Sequence, residues 1–296
     1  MQHLFDRIQP LEPIPTGVTV DDAPMEGIKA LVFDIYGTLI ISSSGDIGSS
    51  DMQSTAAEQS FKECHICLKD VLPFDDLGHR ILSLYHEEIL ESHRKDQNKG
   101  LPHPEVDIIE IWQSVTKQMY NLGYLDCPPS TLDHQLLSLT FETLNNSVFP
   151  MPSMVDTLNQ LQNLGLPLGI VSNAQFFTPL ILKHFFNSPI DGELPHFDPE
   201  LQVYSYQLRR AKPDNYLYVL MAEKLQSKGI EPSQCLYVGN DMLNDIVPAQ
   251  EEGFKTVLFA GDKRSLRLRE THSRCHEKKA DRVITSLSQL LNIIKG

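Results

Sequence analysis

No apolar run in this sequence approaches the roughly 18 to 20 residues that a membrane-spanning helix needs. The first ten residues, MQHLFDRIQP, place Asp6 and Arg7 where a secretory leader would carry an uncharged apolar stretch, so a cytoplasmic location is the expectation. Cysteine is scarce as well. Five cysteines at scattered positions, an odd number, do not make a disulfide framework and suit a reducing compartment. Cys64 and Cys67 form a C-x-x-C with no second pair beside it, and His272, Cys275 and His276 fall in a charged segment without apolar support; neither group reads as a metal or redox centre. Positive charge is the third shortage. With 25 Lys and Arg against 39 Asp and Glu, a formal charge of -14 and a pI near 5.2, a nucleic-acid groove or an anionic membrane surface is not expected as the main partner.

What remains is an ordinary globular composition: 296 residues, 41% hydrophobic and 22% charged, enough for one large domain or two ordinary ones. Pro10, Pro13, Pro15 and Pro24 prevent a continuous helix in residues 1–27, which read as an extended arm on the surface. The chain then reaches KALVFDIYGTLI, residues 29–40. Ala30 to Phe33 form the kind of short apolar run that becomes a buried parallel strand, and the run stops at Asp34, with Gly37 and Thr38 following. A carboxylate is thereby held at the C-terminal edge of a strand, where open α/β sheets bind ligands.

A polar stretch, IISSSGDIGSSD, reads as a flexible connection. Helical patterns follow at about 52–68, 75–96, 104–121 and 131–146, broken at Leu72-Pro73, Gly100 to Pro104 and Cys127 to Pro129. In the third, Val106, Ile109, Trp112, Val115, Met119 and Leu122 recur at threes and fours and make one apolar face. Nothing in this block alternates with strands, so residues 41–149 are expected to be an all-helical module inserted into an α/β domain. Strands near 167–171, 201–205, 235–238 and 256–259 and around Val283 then alternate with helices. The expected fold class is α/β, a Rossmann-like parallel-sheet core of residues 28–40 and 150–296 carrying the helical insertion.

Three further strand ends carry polar groups: Ser172-Asn173, then Ala211-Lys212-Pro213-Asp214 after the presumed third strand, then Gly239-Asn240-Asp241 with Asn244 and Asp245. Taken singly, each has a plain structural explanation as a helix cap or a surface charge. In order and context, however, the four stretches resemble the four motifs of the haloacid dehalogenase superfamily, with the helical block where that family inserts its cap. The resemblance implies that Asp34 is the nucleophile, that Ser172 and Asn173 position the transferring group, and that Lys212 holds the nucleophile and substrate charge. It further implies that Asp241 with Asp245 serves Mg²⁺. An aspartate nucleophile splits hydrolysis into two steps through a covalent intermediate, and Lys212 with donors from Thr38, Ser172 and Asn173 balances part of a phosphoryl group's charge.

Tyr36 departs from the phosphatase pattern, which places a second aspartate two residues after the nucleophile. D-x-Y-G-T is similar to the 2-haloacid dehalogenases, which displace halide from carbon and are not expected to need a metal. Asp241-x-x-x-Asp245, with Asn244 inside, resembles the phosphatase form instead. Were Asp34, Asp241 and Asp245 to converge on one lysine, like-charge repulsion would neutralise a carboxylate unless a divalent cation were bound, and Mg²⁺ suits the oxygen donors of Asp34, Asp241, Asp245 and the Tyr36 carbonyl. The expected activity is Mg²⁺-dependent phosphoryl hydrolysis or phosphotransfer on a small phosphorylated metabolite, by a monomer or homodimer. The alternatives are a metal-independent 2-haloacid dehalogenase and a catalytically weak protein that binds a phospho-ligand. A phenol is a poor base at neutral pH, so release of phosphate from Asp34 is expected to be slow unless another group supplies the acid and base. The insertion is expected to close as a lid, with Arg209 and Arg210 as candidates for its entrance. His93, Arg94 and Lys95, at the end of the second helix, are weaker candidates for contacting an anionic substrate, since a basic helix terminus is also favoured by the helix dipole when solvated.

Overall fold

The computed structural model describes residues 2–43, 54–69 and 76–295. Ala30–Phe33, four apolar residues with no exposed surface, form strand β1 at the centre of a six-stranded sheet. Its side chains alternate between two cores: Leu31 and Phe33 join one, Ala30 and Val32 the other. After β1 come β2 (Ile40–Ser42), helices α1 (Ser54–Glu63), α2 (Leu77–Asn98), α3 (Ile108–Asn121) and α4 (His134–Asn145), and β3 (Val148–Pro150). The strands β2 and β3 pair antiparallel and return the chain to the sheet.

The remaining elements wind over the sheet in βα order. They are α5 (Met154–Asn163), β4 (Leu168–Ser172), α6 (Thr178–Phe185), β5 (Gln202–Tyr204), α7 (Ser205–Leu208), α8 (Tyr216–Ser227) and β6 (Cys235–Gly239), then α9 (Val247–Glu251), β7 (Lys255–Phe259), β8 (Arg282–Ile284) and α10 (Leu290–Ile293). The strand order is β5-β4-β1-β6-β7-β8, and every pairing is parallel. The chain moves outward from β1 through β4 to β5, then returns to the other side of β1 for β6. That reversal opens a crevice at the carboxyl end of β1, immediately before Asp34.

Between β2 and β3 the described elements are helical. Asp76, Asp107 and Asp133 cap the first turns of α2, α3 and α4 by accepting backbone N–H groups. Trp112, fully buried, has Tyr85, Phe141 and Phe61 around it at 4.9, 5.1 and 6.0 Å between ring centroids. Most of the expected apolar face of α3 is buried, namely Val106, Trp112, Val115 and Met119, and Ile108 and Ile111 join it, whereas Ile109 is half-buried and Leu122 exposed. Helix α1 stops at Glu63, earlier than expected, and His65 takes a positive φ of 51°. Most of the IISSSGDIGSSD stretch and the Leu72-Pro73 break lie outside the described residues.

The N-terminal arm differs from the expected extended surface segment. Gln2–Arg7 form a 3₁₀ turn that buries Leu4 and Phe5. The Phe5 ring stacks on His184 of α6 at 5.2 Å, and Arg7 pairs with Glu63 at the end of α1 at 2.7 Å. Farther on, Asp21 bridges Val283 of the edge strand β8, extending the sheet by one residue pair. Two apolar residues separated from the prolines by charged and polar neighbours give no periodic signal, which is why the packing was not legible.

Candidate active site

Three strand ends and one connection deliver the polar groups. Asp34 follows β1, Ser172 ends β4, Lys212 lies after β5, and Asp241 and Asp245 follow β6. Gly37 makes the first turn with φ of +82°, and a Cβ there would lie 2.5 Å from Ser265 Cβ. Gly239 is required for a different reason: a Cβ would lie 2.4 Å from the Asp245 side chain, so only glycine lets that carboxylate fold back beneath the strand.

Lys212 is the hub. Its Nζ donates to Asp34 Oδ1 and to Asp245 Oδ1, both at 2.6 Å, and its side chain is only 3% exposed. Burial disfavours the ammonium, but the carboxylates of Asp245 and Asp34 outweigh it and hold the Lys212 pKa above its ordinary value. Ser172 Oγ donates to the same Asp34 Oδ1 at 2.9 Å. Asp34 is thus fixed through one oxygen, and among the described residues no hydrogen bond reaches Oδ2. Asn173 Oδ1 accepts from the Lys212 amide at 2.7 Å and lines the pocket beside Asp34.

Asp245 is braced rather than open. Oδ2 accepts the amides of Asn240 and Asp241 at 3.1 and 2.9 Å, and Oδ1 accepts the Tyr237 hydroxyl at 3.1 Å besides Lys212. Such a carboxylate fixes the lysine and the loop. Asp241 Oδ1 accepts the amides of Leu243 and Asn244, capping a π turn at Met242–Ile246 where an ordinary helix start was expected. Its Oδ2 accepts Arg269 Nη2 at 2.7 Å. Thr38 has turned away: its hydroxyl donates to Asn240 Oδ1 at 3.0 Å and serves the turn, not the pocket.

Arg267 and Arg269 line the pocket with Asp34, Tyr36, Asn173, Lys212 and Asp241. Sequence reading missed both. The segment holding them is held beside the β6 end because Met242 and Arg267 exchange backbone bonds with it: the Arg267 amide donates to the Asn240 carbonyl, and the Met242 amide to the Arg267 carbonyl. The alternation in L-R-L-R at 266–269 was the available signal. Arg209 and Arg210, the expected entrance cations, are elsewhere: Arg209 pairs with Glu110 at 2.6 Å, and Arg210 with Asp214 at 3.0 Å. Cys275, expected in a solvated loop, is buried.

Arg269 also changes the charge balance. Three carboxylates face Lys212 and Arg269, not one lysine alone, so charge counting argues for a metal less strongly than the sequence suggested. The donor set still fits Mg²⁺: Asp34 Oδ2, Asp241 and the Tyr36 carbonyl are hard oxygen donors about one pocket. Among the described residues no group of three or more Asp, Glu, His or Cys side chains is arranged to hold a metal ion. Two carboxylates and a carbonyl, with water and substrate oxygens, would have to suffice.

Tyr36 is buried and its hydroxyl shares a 3.1 Å hydrogen bond with Thr178 Oγ1. Burial, then the Glu142 carboxylate, pushes its pKa well above the ordinary phenol value, so it carries its proton at neutral pH. Glu142 was not anticipated. It lies on α4, in the wall of a cavity of about 330 Å³ that shares the lining residue Asn173 with the Asp34 pocket. Burial pushes its carboxyl up to about 7, against the opposing hydrogen bond from Asn146 Nδ2 at 2.9 Å. A carboxyl that binds its proton more tightly when folded stabilises most below about pH 4.5, and the contribution falls as pH rises to about 7. Replacing Glu142 with Gln should remove that slope, a difference of about 3 kcal/mol across the window. Urea unfolding of both proteins at either end of the window measures it.

The likeness to known proteins agrees with this geometry. Phosphoglycolate phosphatase from Escherichia coli (strain K12) is 29% identical over 244 residues, covering 78% of this chain and 81% of that one. The 2-haloacid dehalogenase structure from Pseudomonas syringae pv. Tomato DC3000 superposes with a TM-score of 0.54 at 19% identity, over 89% of this chain and 96% of that one. A HAD phosphatase structure from Thermococcus onnurineus gives 0.50 at 21% identity with the same coverage. At those identities the two structures establish the fold alone. The family pattern of the haloacid dehalogenase-like hydrolases matches residues 28–253, the span from just before β1 to just after α9. A parallel sheet with Asp34, Ser172 and Asp241 at strand ends and Lys212 in the connection between α7 and α8, under a pattern match over most of the chain, places this protein among the haloacid dehalogenase-like hydrolases.

Proposed function

We propose that the protein is a Mg²⁺-dependent phosphoryl hydrolase or phosphotransferase that acts on a small phosphate monoester through an aspartyl-phosphate at Asp34. The observation that carries the reading is the asymmetry of Asp34: Ser172 and Lys212 grip Oδ1, leaving Oδ2 toward a pocket that also holds Asp241, Arg267 and Arg269. Oδ2 is then the attacking atom. Lys212 keeps its charge beside the nucleophile, and Asn173 and the arginines face the transferring group. Bound Mg²⁺ would supply charge neutralisation between the attacking carboxylate and the phosphoryl oxygens. The likeness to the Escherichia coli phosphoglycolate phosphatase, across most of both chains, supports a phosphate ester as substrate.

The helices between β2 and β3, with residues 41–149 as their bounds, act as a cap over this crevice, and β2 and β3 are its stem. All the carboxylates that serve the reaction at Asp34 lie outside that span except one, considered below. No helix among the described residues is long and apolar enough to cross a membrane. The substrate is taken to be a small molecule, met in a reducing compartment as the cysteine usage suggests.

Mg²⁺ titration by calorimetry, in the presence of a phosphoryl mimic, should show binding to the wild type that weakens at least about tenfold in Asp241→Asn. Turnover of phosphate monoesters should vanish in a chelator and return with Mg²⁺. Tyr36 favours the second reading, a dehalogenase. Halide release from a 2-haloacid that persists in the chelator would establish that reading instead.

A further inference from the structure

Tyr36, buried with its pKa well above the ordinary phenol value and its hydroxyl bonded to Thr178, is a weak acid and no base at neutral pH, yet an alkoxide leaving group needs a proton and the attacking water must lose one. Among the described residues, carboxyl groups near the Asp34 pocket are few. Asp245 is held by four donors, and Asp241, the proposed metal ligand, is held by Arg269 and two amides. Glu105, at the mouth of the cap cavity, accepts from Ser205 Oγ at 2.8 Å and from its neighbour's amide. Glu142 is different. Only Asn146 reaches it, through Oε1, and among the described residues no hydrogen bond is made to Oε2.

The cavity that Glu142 lines is walled by Tyr85, Ile89, Val106, Phe141 and Phe177, and Asn173 lines both it and the nucleophile's pocket. A phosphoryl group on Asp34 would send its ester substituent into that space. We propose that Glu142, carried by α4, is the general acid and base that replaces the missing aspartate, and that the cavity takes an alkyl leaving group without negative charge. The inference rests on the aspartyl-phosphate reading and deepens it.

The steps balance. Asp34 Oδ2 forms a bond to phosphorus as the bond to the ester oxygen breaks, and that oxygen takes the Glu142 proton and leaves as an alcohol. Glu142, now a carboxylate, takes a proton from water as the water oxygen attacks phosphorus and the bond to Asp34 Oδ2 breaks. Phosphate leaves, Asp34 is again a carboxylate, and Glu142 is again protonated. The charge preference follows from the lining: it holds Glu105 and Glu142 and neither Lys nor Arg, and residues 44–53 and 70–75 contain no Lys or Arg in sequence. The other groups facing Glu142 are the hydroxyls of Tyr36 and Tyr85 and the rings of His86 and His93, and burial lowers the His93 pKa, keeping it neutral near pH 7. A carboxyl held near 7 in this setting can give and take a proton at neutral pH.

The test compares wild type and E142Q on three substrates: p-nitrophenyl phosphate, phosphoethanolamine and 2-phosphoglycolate, with rapid-quench detection of phosphorylated Asp34. In E142Q, phosphorylation by phosphoethanolamine should fall by about 10² or more, whereas phosphorylation by p-nitrophenyl phosphate, whose leaving group departs unaided, should change by less than about threefold. Phosphorylated Asp34 should accumulate in E142Q because its hydrolysis has lost the base. Wild type should prefer phosphoethanolamine to 2-phosphoglycolate by about tenfold or more in kcat/KM. An equal fall with both leaving groups would mark Glu142 as structural and overturn the assignment, as would no change at all; a preference for 2-phosphoglycolate would overturn the charge assignment. Circular dichroism melting establishes that E142Q is folded, and E142D, which keeps the carboxyl, should recover part of the lost rate. If wild type itself forms no phosphoenzyme with any of the three, the reading at Asp34 fails and the role of Glu142 fails with it.

Discussion

Asp34→Asn is expected to lower kcat by about 10⁴ or more, the scale seen when a nucleophile is removed from an intact site. The substitution is nearly isosteric, and an amide oxygen can still accept from Ser172 Oγ and Lys212 Nζ, which hold the native carboxylate at 2.9 and 2.6 Å. Lys212 retains Asp245 as a partner. The fold should therefore survive, and the variant should still bind Mg²⁺, more weakly. Steady-state kinetics with a folded variant, its integrity established by near-UV circular dichroism, measure the effect. Retention of more than about a tenth of wild-type activity would remove Asp34 from the nucleophile's role.

Lys212→Met should have the largest effect on stability. The lysine bridges two carboxylates whose side chains are 8% and 2% exposed, so its removal leaves Asp34 and Asp245 buried together with no cation between them. Breaking a buried pair by deleting one partner costs about 3–5 kcal/mol. For a chain of this size that corresponds to a fall in Tm on the order of 10 °C. Activity should fall by about 10² or more, because the charge next to the reacting phosphoryl group is also gone. Combining Lys212→Met with Asp245→Asn relieves the repulsion, so the double variant should recover part of the stability and none of the activity. Additive loss in the double variant would mean that the three groups do not form one charge-balanced unit.

The sheet was legible because its central strands β1, β4 and β6 are short, apolar and buried on both faces, and polar residues stand at or just beyond their ends. Ala30–Phe33 followed by Asp34 contains the strand, its edge and the carboxylate in five residues. Asp241 was legible for the same reason, and Lys212 as the lone basic residue of the A-K-P-D stretch before α8. What escaped the sequence is whatever reaches the site without such a boundary. Arg269 lies 28 residues beyond Asp241 in a charged segment that two backbone hydrogen bonds hold against the β6 end. Glu142 lies mid-helix, where one acid between Phe141 and Thr143 looks like any solvated helix charge until the helix is placed against the sheet. Thr38 shows the opposite failure: a hydroxyl in the right motif whose hydrogen bond goes to Asn240, inside the turn. Spacing along a strand end fixes where a residue stands, whereas which neighbour takes its polar atoms depends on chains that arrive from far away in sequence.

Phosphoryl transfer to Asp34 can be read directly. The wild-type protein is mixed with p-nitrophenyl phosphate and Mg²⁺, quenched in acid within milliseconds, digested, and analysed by mass spectrometry for a peptide that carries one phosphoryl group. The expected result is the modification on Asp34, dependent on Mg²⁺ and absent from Asp34→Asn. Turnover with the phosphoryl group on another residue, or a 2-haloacid ester on Asp34 formed in the presence of a chelator, would contradict it.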